Sequence, residues 1–241
     1  MNEGMYKSTT GMLHQATRLD MIAENLANSS VPGYKRTVSA ARPFIGAFQD
    51  ALRDKPEDGV RLATTAVDFT MGAFRHTERA LDFAVEGKSF FVVLQNGQEL
   101  YTRNGAFTVD PDGNLITQNG LAVKGDIRIP PDTNMADITV GEDGTLYSGK
   151  TVLGKLELAS FEDPQELLRA GPSLFIAPSG VSPDPMAQGD RVQNRVLEGS
   201  NTCIFTEMTE MITCMRNFEA CQKMTSIQDT TEGAFISKLM Q

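Results

Sequence analysis

The sequence predicts an α+β fold, with N- and C-terminal helices pairing as a coiled-coil-like layer around an inserted, mainly antiparallel β domain. Three observations predict it. Ile204, Met208, Met211, Met215 and Phe218 are spaced 4, 3, 4 and 3 apart, which places them on one stripe of a helix. Met5, Met12, Leu19 and Leu26 recur every seven residues at the opposite end, a seam that pairs with another helix. Between the two, Asn-Gly and Asp-Gly dipeptides punctuate short apolar runs, which is the pattern of hairpins.

Taken in order, residues 1–28 read as a helix, with Ile22 beside the Met5–Met12–Leu19–Leu26 row. The helix stops where Asn28, Ser29 and Ser30 compete for backbone hydrogen bonds and Pro32-Gly33 cannot continue it. Residues 34–80 read as an extended connector, with a short helix at 44–52. From Leu81 the pattern changes to strands at 81–85, 90–94, 100–103, 106–109, 115–117 and 121–123. Further strands are expected at 127–129, 138–140, 145–147, 153–161 and 174–176, with one helical turn at 164–169. Pro178, Gly180, Pro183, Pro185 and Gly189 mark residues 178–194 as a loop without an element. Residues 193–197 are expected to be extended, after which Ser200, Asn201 or Thr202 caps the last helix. The domains expected are therefore 1–33 with 199–241 (helical), 34–80 (connector) and 81–198 (β-rich).

Bulk properties exclude several classes. At 241 residues and 40% hydrophobic content the chain can bury a sizeable core. A net charge of -9 argues against a nucleic-acid or anionic-lipid surface, which needs clustered Lys and Arg. No run of 18 apolar residues is present, so no membrane insertion is expected. Polar residues at positions 2, 3 and 8–10 leave no apolar core for a signal peptide. Cys203, Cys214 and Cys221 all lie in the C-terminal helix. Cys214 and Cys221 are about 10 Å apart along that helix, too far for a disulfide within it.

No constellation carries catalysis. Asp110, Asp112 and Asn114 begin like a calcium loop, but Leu115 and Leu121 stand where Gly and Glu are required, so the segment reads as a hairpin turn. His14 and His76 have no ligand partner at metal-binding spacing, and no phosphate loop or nucleophile elbow occurs. Cys203 has no activating neighbour in sequence. No enzyme activity, cofactor or metal is expected.

Three stretches carry a resemblance. The first is the end of the N-terminal helix, including Asn25, Leu26, Asn28, Pro32, Gly33, Tyr34 and Lys35. The second runs from Val67-Asp68-Phe69 through Leu81–Val93 and Tyr101–Asp110 to Gly113-Asn114-Leu115. The third is Leu197, Glu198, Gly199, Ser200 and Asn201, followed by Glu207–Ile212 and Arg216–Ala220. Together, and in this order, they resemble the bacterial flagellar rod and hook family. The resemblance implies a non-enzymatic, self-assembling rod subunit that transmits torque. Its partners would be copies of itself, other flagellar rod proteins and the flagellar type III export apparatus, and its place the periplasmic rod of the basal body. The short middle region favours a rod subunit over a hook subunit, and a proximal position over a distal one. Met5, Met12, Leu19, Ile22, Leu26, Ile204, Met208, Met211, Met215 and Phe218 would then form the assembly interface. The competing readings are a monomeric β-rich binding module with packed terminal helices, and a hydrolase using Cys203.

Overall fold

The computed structural model describes residues 2–40 and 64–239; the helix expected at 44–52 lies outside them. The chain divides into two compact units. The first comprises Met1–Ala27, Thr37–Val67 and Cys203–Gln241, and the second Asn28–Arg36 and Asp68–Thr202.

In the first unit, helix α1 (Asn2–Ala27) packs along helix α2 (Ile204–Leu239). A ribbon of β1 (Thr37–Ala40) and β2 (Thr64–Val67) accompanies them, with Thr37 opposite Val67. The extended connector expected at 34–80 therefore carries strands. Helix α2 begins at Ile204, just beyond the three candidate caps, two of which are engaged elsewhere. Ser200 Oγ accepts from the Thr202 amide, and Asn201 spends its amide on backbone groups of the second unit.

The second unit is antiparallel throughout its described ladders. It contains β3 (Phe74–His76), β4 (Phe83–Glu86), β5 (Phe90–Gln95), β6 (Gln98–Thr102), β7 (Phe107–Val109), β8 (Leu115–Thr117) and β9 (Ala122–Val123). These are followed by β10 (Ile138–Val140), β11 (Thr145–Ser148), β12 (Thr151–Lys155), β13 (Leu158–Ser160), β14 (Leu168–Arg169) and β15 (Leu174–Ile176). The last are β16 (Asp184–Pro185), β17 (Arg191–Asn194) and β18 (Val196–Glu198). The main sheet runs β14-β15-β6-β5-β9-β8-β7, with β13 on β5; β10-β11-β12 form a separate sheet. Strand β17 pairs with β4 and β18 with β3.

Strand β5 is central, which explains its unbroken apolar sequence: a strand covered on both faces cannot alternate. Phe91 and Val93 face a core with Phe83, Leu100, Phe107, Leu115, Ile138 and Leu146. Phe90 faces the other way, its ring edge-on to Phe69, Phe161 and Phe175 at 5.8–6.1 Å. The hairpin from β5 to β6 turns on Asn96 and Gly97, whose φ values of 51° and 84° match the two-residue turn the sequence signals.

Three expectations differ. The 153–161 run breaks into β12 and β13. Residues 127–129 contribute buried Ile127 and Ile129 but only a single bridge, Asn114 to Arg128. The segment 178–194 is not bare loop: Asp184–Pro185 pairs with β13, and Arg191–Asn194 takes a full register against β4. Pro and Gly density hid both, because strands this short depend on the partner ladder more than on local propensity.

Candidate functional site

Two places gather the residues singled out by sequence. The first is the helix pair, in which α1 and α2 run antiparallel. Asn25 Nδ2 donates to Glu207 Oε2 at 3.4 Å, and Arg18 Nη2 donates to Glu210 Oε2 at 3.3 Å. Further along, the Cys214 thiol donates to Gln15 Oε1 at 3.0 Å and to the Gln15 carbonyl at 3.3 Å. A Cβ placed on Gly11 would lie 3.6 Å from Cys221 Sγ, ordinary contact distance. Burial raises the pKa of the Cys214 thiol above its usual range.

The inward residues of α2 are Glu207, Met211, Cys214, Phe218 and Cys221, all buried or half-buried. Their spacing is again 4, 3, 4 and 3, but the stripe is displaced from the expected one by three residues, which at 3.6 residues per turn is about a sixth of a turn. Met211 and Phe218 belong to both stripes. Ile204, Met208 and Met215 do not: they are exposed, and with Phe205 and Ile212 they form an apolar face turned away from α1. The reason lies on α1, whose inward side offers Gly11, Gln15, Arg18, Ile22 and Asn25. Only Ile22 there is a large apolar residue, and it is buried. A mostly polar and small seam accepts Glu207, Glu210, Cys214 and Cys221 beside Met211 and Phe218, and leaves Met208 and Met215 outside. Of the expected α1 residues, Met12, Leu19 and Leu26 are half-buried, and the side chain of Met5 lies outside the described residues. Gly11, Gln15, Arg18, Glu207 and Cys214 were missed because a search for apolar stripes passes over polar seams.

Cys203 immediately precedes α2 and is exposed. Contrary to the expectation from its sequence neighbours, its thiol pKa is lowered, first by the Thr206 hydroxyl and then by the Thr206 and Phe205 amides. Its carbonyl accepts from the Glu207 amide at 3.0 Å, at the start of the helix. Asp110 likewise makes a turn: its Oδ1 accepts from the Asp112 and Asn114 amides, and its Oδ2 from the Asn114 side chain. Among the described residues no group of His, Cys, Asp and Glu could hold a metal ion, and no helix is long and apolar enough to cross a membrane.

The second place lies within the second unit, where the two outer motifs meet. Gly33 has φ 69°, and a Cβ there would fall 2.3 Å from the Asn104 nitrogen, so only glycine fits. The turn aims Lys35 inward. Its Nζ donates to Glu198 Oε1 at 2.5 Å and to the Thr70 carbonyl at 2.7 Å. Glu198 Oε1 also accepts from the Gly72 amide at 3.0 Å, and Arg103 Nη1 lies 3.6 Å from Glu198 Oε2. Lys35, Glu198 and Arg103 side chains are 0%, 1% and 4% exposed. Desolvation pulls the Lys35 ammonium below its usual range, with the Glu198 charge opposing it. Tyr34 is buried beneath the Arg169 guanidinium, which also donates to the Lys35 carbonyl. Asn201 Oδ1 accepts from the Arg36 amide, while its Nδ2 donates to the carbonyls of Asp68 and Thr70. Leu197 is buried, and Asn28, Pro32 and Ser200 are half-buried.

Comparison with known proteins agrees across these segments. A model described as "Flagella basal body rod protein" matches residues 5–35. "Flagellar hook protein FlgE/F/G D1 domain" matches 84–148, and "Flagellar basal body rod FlgEFG protein C-terminal" matches 193–239. The chain is 30% identical over 232 residues to the flagellar basal-body rod protein FlgF of Caulobacter vibrioides, covering 93% of this chain and 92% of the relative. It is 33% identical over 248 residues to FlgG of Agrobacterium fabrum, with 92% and 94% covered. With FlgF of Escherichia coli it shares 31% over 257 residues, with 97% and 96% covered.

Proposed function

The chain belongs to the flagellar basal-body rod protein family, and from that membership we propose that it builds the rod by seating the exposed apolar face of α2 against neighbouring subunits. It is a structural subunit of the bacterial flagellar basal-body rod, in a family of structural proteins. The observation that carries the proposal is the face itself. Ile204, Phe205, Met208, Ile212 and Met215 stand exposed on a helix whose other side is already occupied by α1. A contiguous apolar face of this kind on a single chain marks a surface for association.

The neighbours are copies of this chain and other rod subunits. Contacts between unlike surfaces repeat head to tail and, with a rotation between neighbours that does not close, build an open helical array. The array transmits torque through its helices, while the β-rich unit sets the spacing between subunits. Delivery is by the flagellar type III export apparatus, and the position is in the periplasmic part of the rod. The short middle region favours a proximal place there. A monomeric binding module is not favoured, since family membership spans almost the whole chain.

The test is a Phe205→Asp/Ile212→Asp chain expressed in a strain lacking the wild-type copy. Basal bodies without a completed rod and loss of swimming are expected, with the purified chain as stable as wild type. A normal rod built from the double variant would overturn the proposal.

A further inference from the structure

The two helices of the first unit share an apolar flank. At 3.6 residues per turn each residue adds about 100° of rotation. Measured from the centre of the α1–α2 seam, Leu19 and Leu26 stand about 60–80° round α1, and Met208 and Met215 about 80–100° round α2, in the same sense. Because the helices run antiparallel, the same sense on each brings both pairs to one flank. Asn25 with Glu207 and Gln15 with Cys214 set the levels, so Leu26 lies beside the first turn of α2 and Leu19 beside Met211. The result is a groove continuous with the α1–α2 seam. Leu19 and Leu26 form one wall, Met208 and Met215 the other, and Ile22 and Met211 the floor. The opposite flank is chiefly polar, with Thr17, Arg18, Glu210, Thr213 and Asn217.

Phe205 and Ile212 lie further round α2, about 140–160° from the seam, and are 81% and 54% exposed. They form a ridge directed away from α1. Ridge and groove share one period. Phe205 and Ile212, Leu19 and Leu26, and Met208 and Met215 are each seven residues apart, a rise of about 10.5 Å. Equal spacing lets ridge residues seat as knobs between groove residues. The charges agree as well. Arg216 follows Ile212 by one turn on the ridge side, Glu219 follows Met215 by one turn on the groove side, and both are exposed. Two α2 helices lying in the same direction, with Ile212 of one beside Leu19 of the other copy, bring these opposite charges to neighbouring levels.

We infer that the ridge of one copy's α2 seats in the groove of the next copy, Phe205 against Leu26 and Ile212 against Leu19. The inference rests on the outer-face reading of α2 and names what covers that face. Groove and ridge are unlike surfaces of one chain, so each copy offers both and the contact propagates in one direction.

Cysteine pairing in cells tests it. Leu19→Cys and Ile212→Cys are introduced singly and together into a Cys203→Ser chain, in a strain lacking the wild-type copy. The cells are oxidised and the chains separated under denaturing conditions without reductant. The double variant should form a ladder of dimers, trimers and longer species that reductant collapses, while each single variant stays monomeric. Leu26→Cys with Phe205→Cys should ladder in the same way, and is read in place of the first pair where that pair builds no rod. Dimers from Leu19→Cys alone overturn the inference, because groove then meets groove. So does the absence of a ladder from both pairs, or linkage only to a different rod subunit. Loss of the rod in the Phe205→Asp/Ile212→Asp chain with no ladder from either pair removes the groove and leaves the outer-face reading standing. A normal rod in that chain removes both.

Discussion

Cys214 and Met215 are adjacent in sequence, yet one aspartate substitution should do opposite things at the two positions. Cys214 is 1% exposed and Met215 is 49% exposed. Cys214→Asp sets a carboxylate into a seam that already carries Glu207 and Glu210, and the nearby Arg18 is engaged by Glu210 at 3.3 Å. An uncompensated buried charge costs about 3–5 kcal/mol, enough to part α1 from α2 in the free subunit. Met215→Asp places its carboxylate in water on the outer face, and the free subunit should change by no more than about 0.5 kcal/mol. The exposed half of Met215 is what a neighbour can cover. At about 1.5–3 kcal/mol for full burial of such a side chain, its loss removes roughly 0.7–1.5 kcal/mol per contact, before the cost of desolvating the new charge. Denaturant titration followed by far-UV circular dichroism measures the first effect, and swimming in a strain lacking the wild-type copy measures the second. A Met215→Asp chain that loses several kcal/mol while Cys214→Asp loses none would show the rotation of α2 to be wrong. Wild-type swimming by Met215→Asp would refute the outer face as the assembly surface.

Two further outcomes are expected. Gly33→Ala should destabilise the β-rich unit by about 1–3 kcal/mol, combining a positive φ with a Cβ placed 2.3 Å from a backbone nitrogen; a thermal melt within experimental error of wild type would contradict this. Tyr101 donates to Glu99 Oε2 at 3.2 Å, and burial, then the Glu99 charge, push its phenol up to about 12 from an ordinary 10. Between those values the unfolded chain ionises while the folded chain does not, so stability should fall as pH rises from 10 to 12. Absorbance at 295 nm should show a late-titrating tyrosine that Tyr101→Phe removes.

Much of the β-rich unit is legible from local chemistry. Asn96-Gly97 specifies its hairpin because few other residues accept both positive φ values. The all-apolar β5 announces a strand covered on both faces. The helices are legible as elements but not in their rotation. The apolar stripe on α2 straddles two faces, with Met211 and Phe218 turned in and Ile204, Met208 and Met215 out, and the inner seam is completed by Glu207, Cys214 and Cys221, which hydrophobic periodicity does not weigh. Strand β17 owes its existence to the ladder with β4, a partner about a hundred positions earlier. The Lys35–Glu198 pair is less accessible still. Each residue sits in a recognisable motif, but nothing local says that the two motifs touch. Short-range rules fix turns and element types, whereas buried polar partners are chosen by the tertiary fold.

Asn25 has a consequence for how motion passes through the first unit. Its Oδ1 accepts from the Thr37 amide at 2.8 Å and its Nδ2 donates to the Thr37 carbonyl at 2.9 Å. The side-chain amide thus impersonates a peptide group, bonding the first residue of β1 as a neighbouring strand would. The same Nδ2 reaches Glu207. A single planar group ties α1, α2 and the β1–β2 ribbon at one point, with both bonds to Thr37 fixing angle as well as distance. Rotation of α1 about its axis is therefore carried to the ribbon without backlash, as a keyed shaft carries its collar. An aspartate in that place keeps the shape but loses the donor, leaving a pivot where there had been a key.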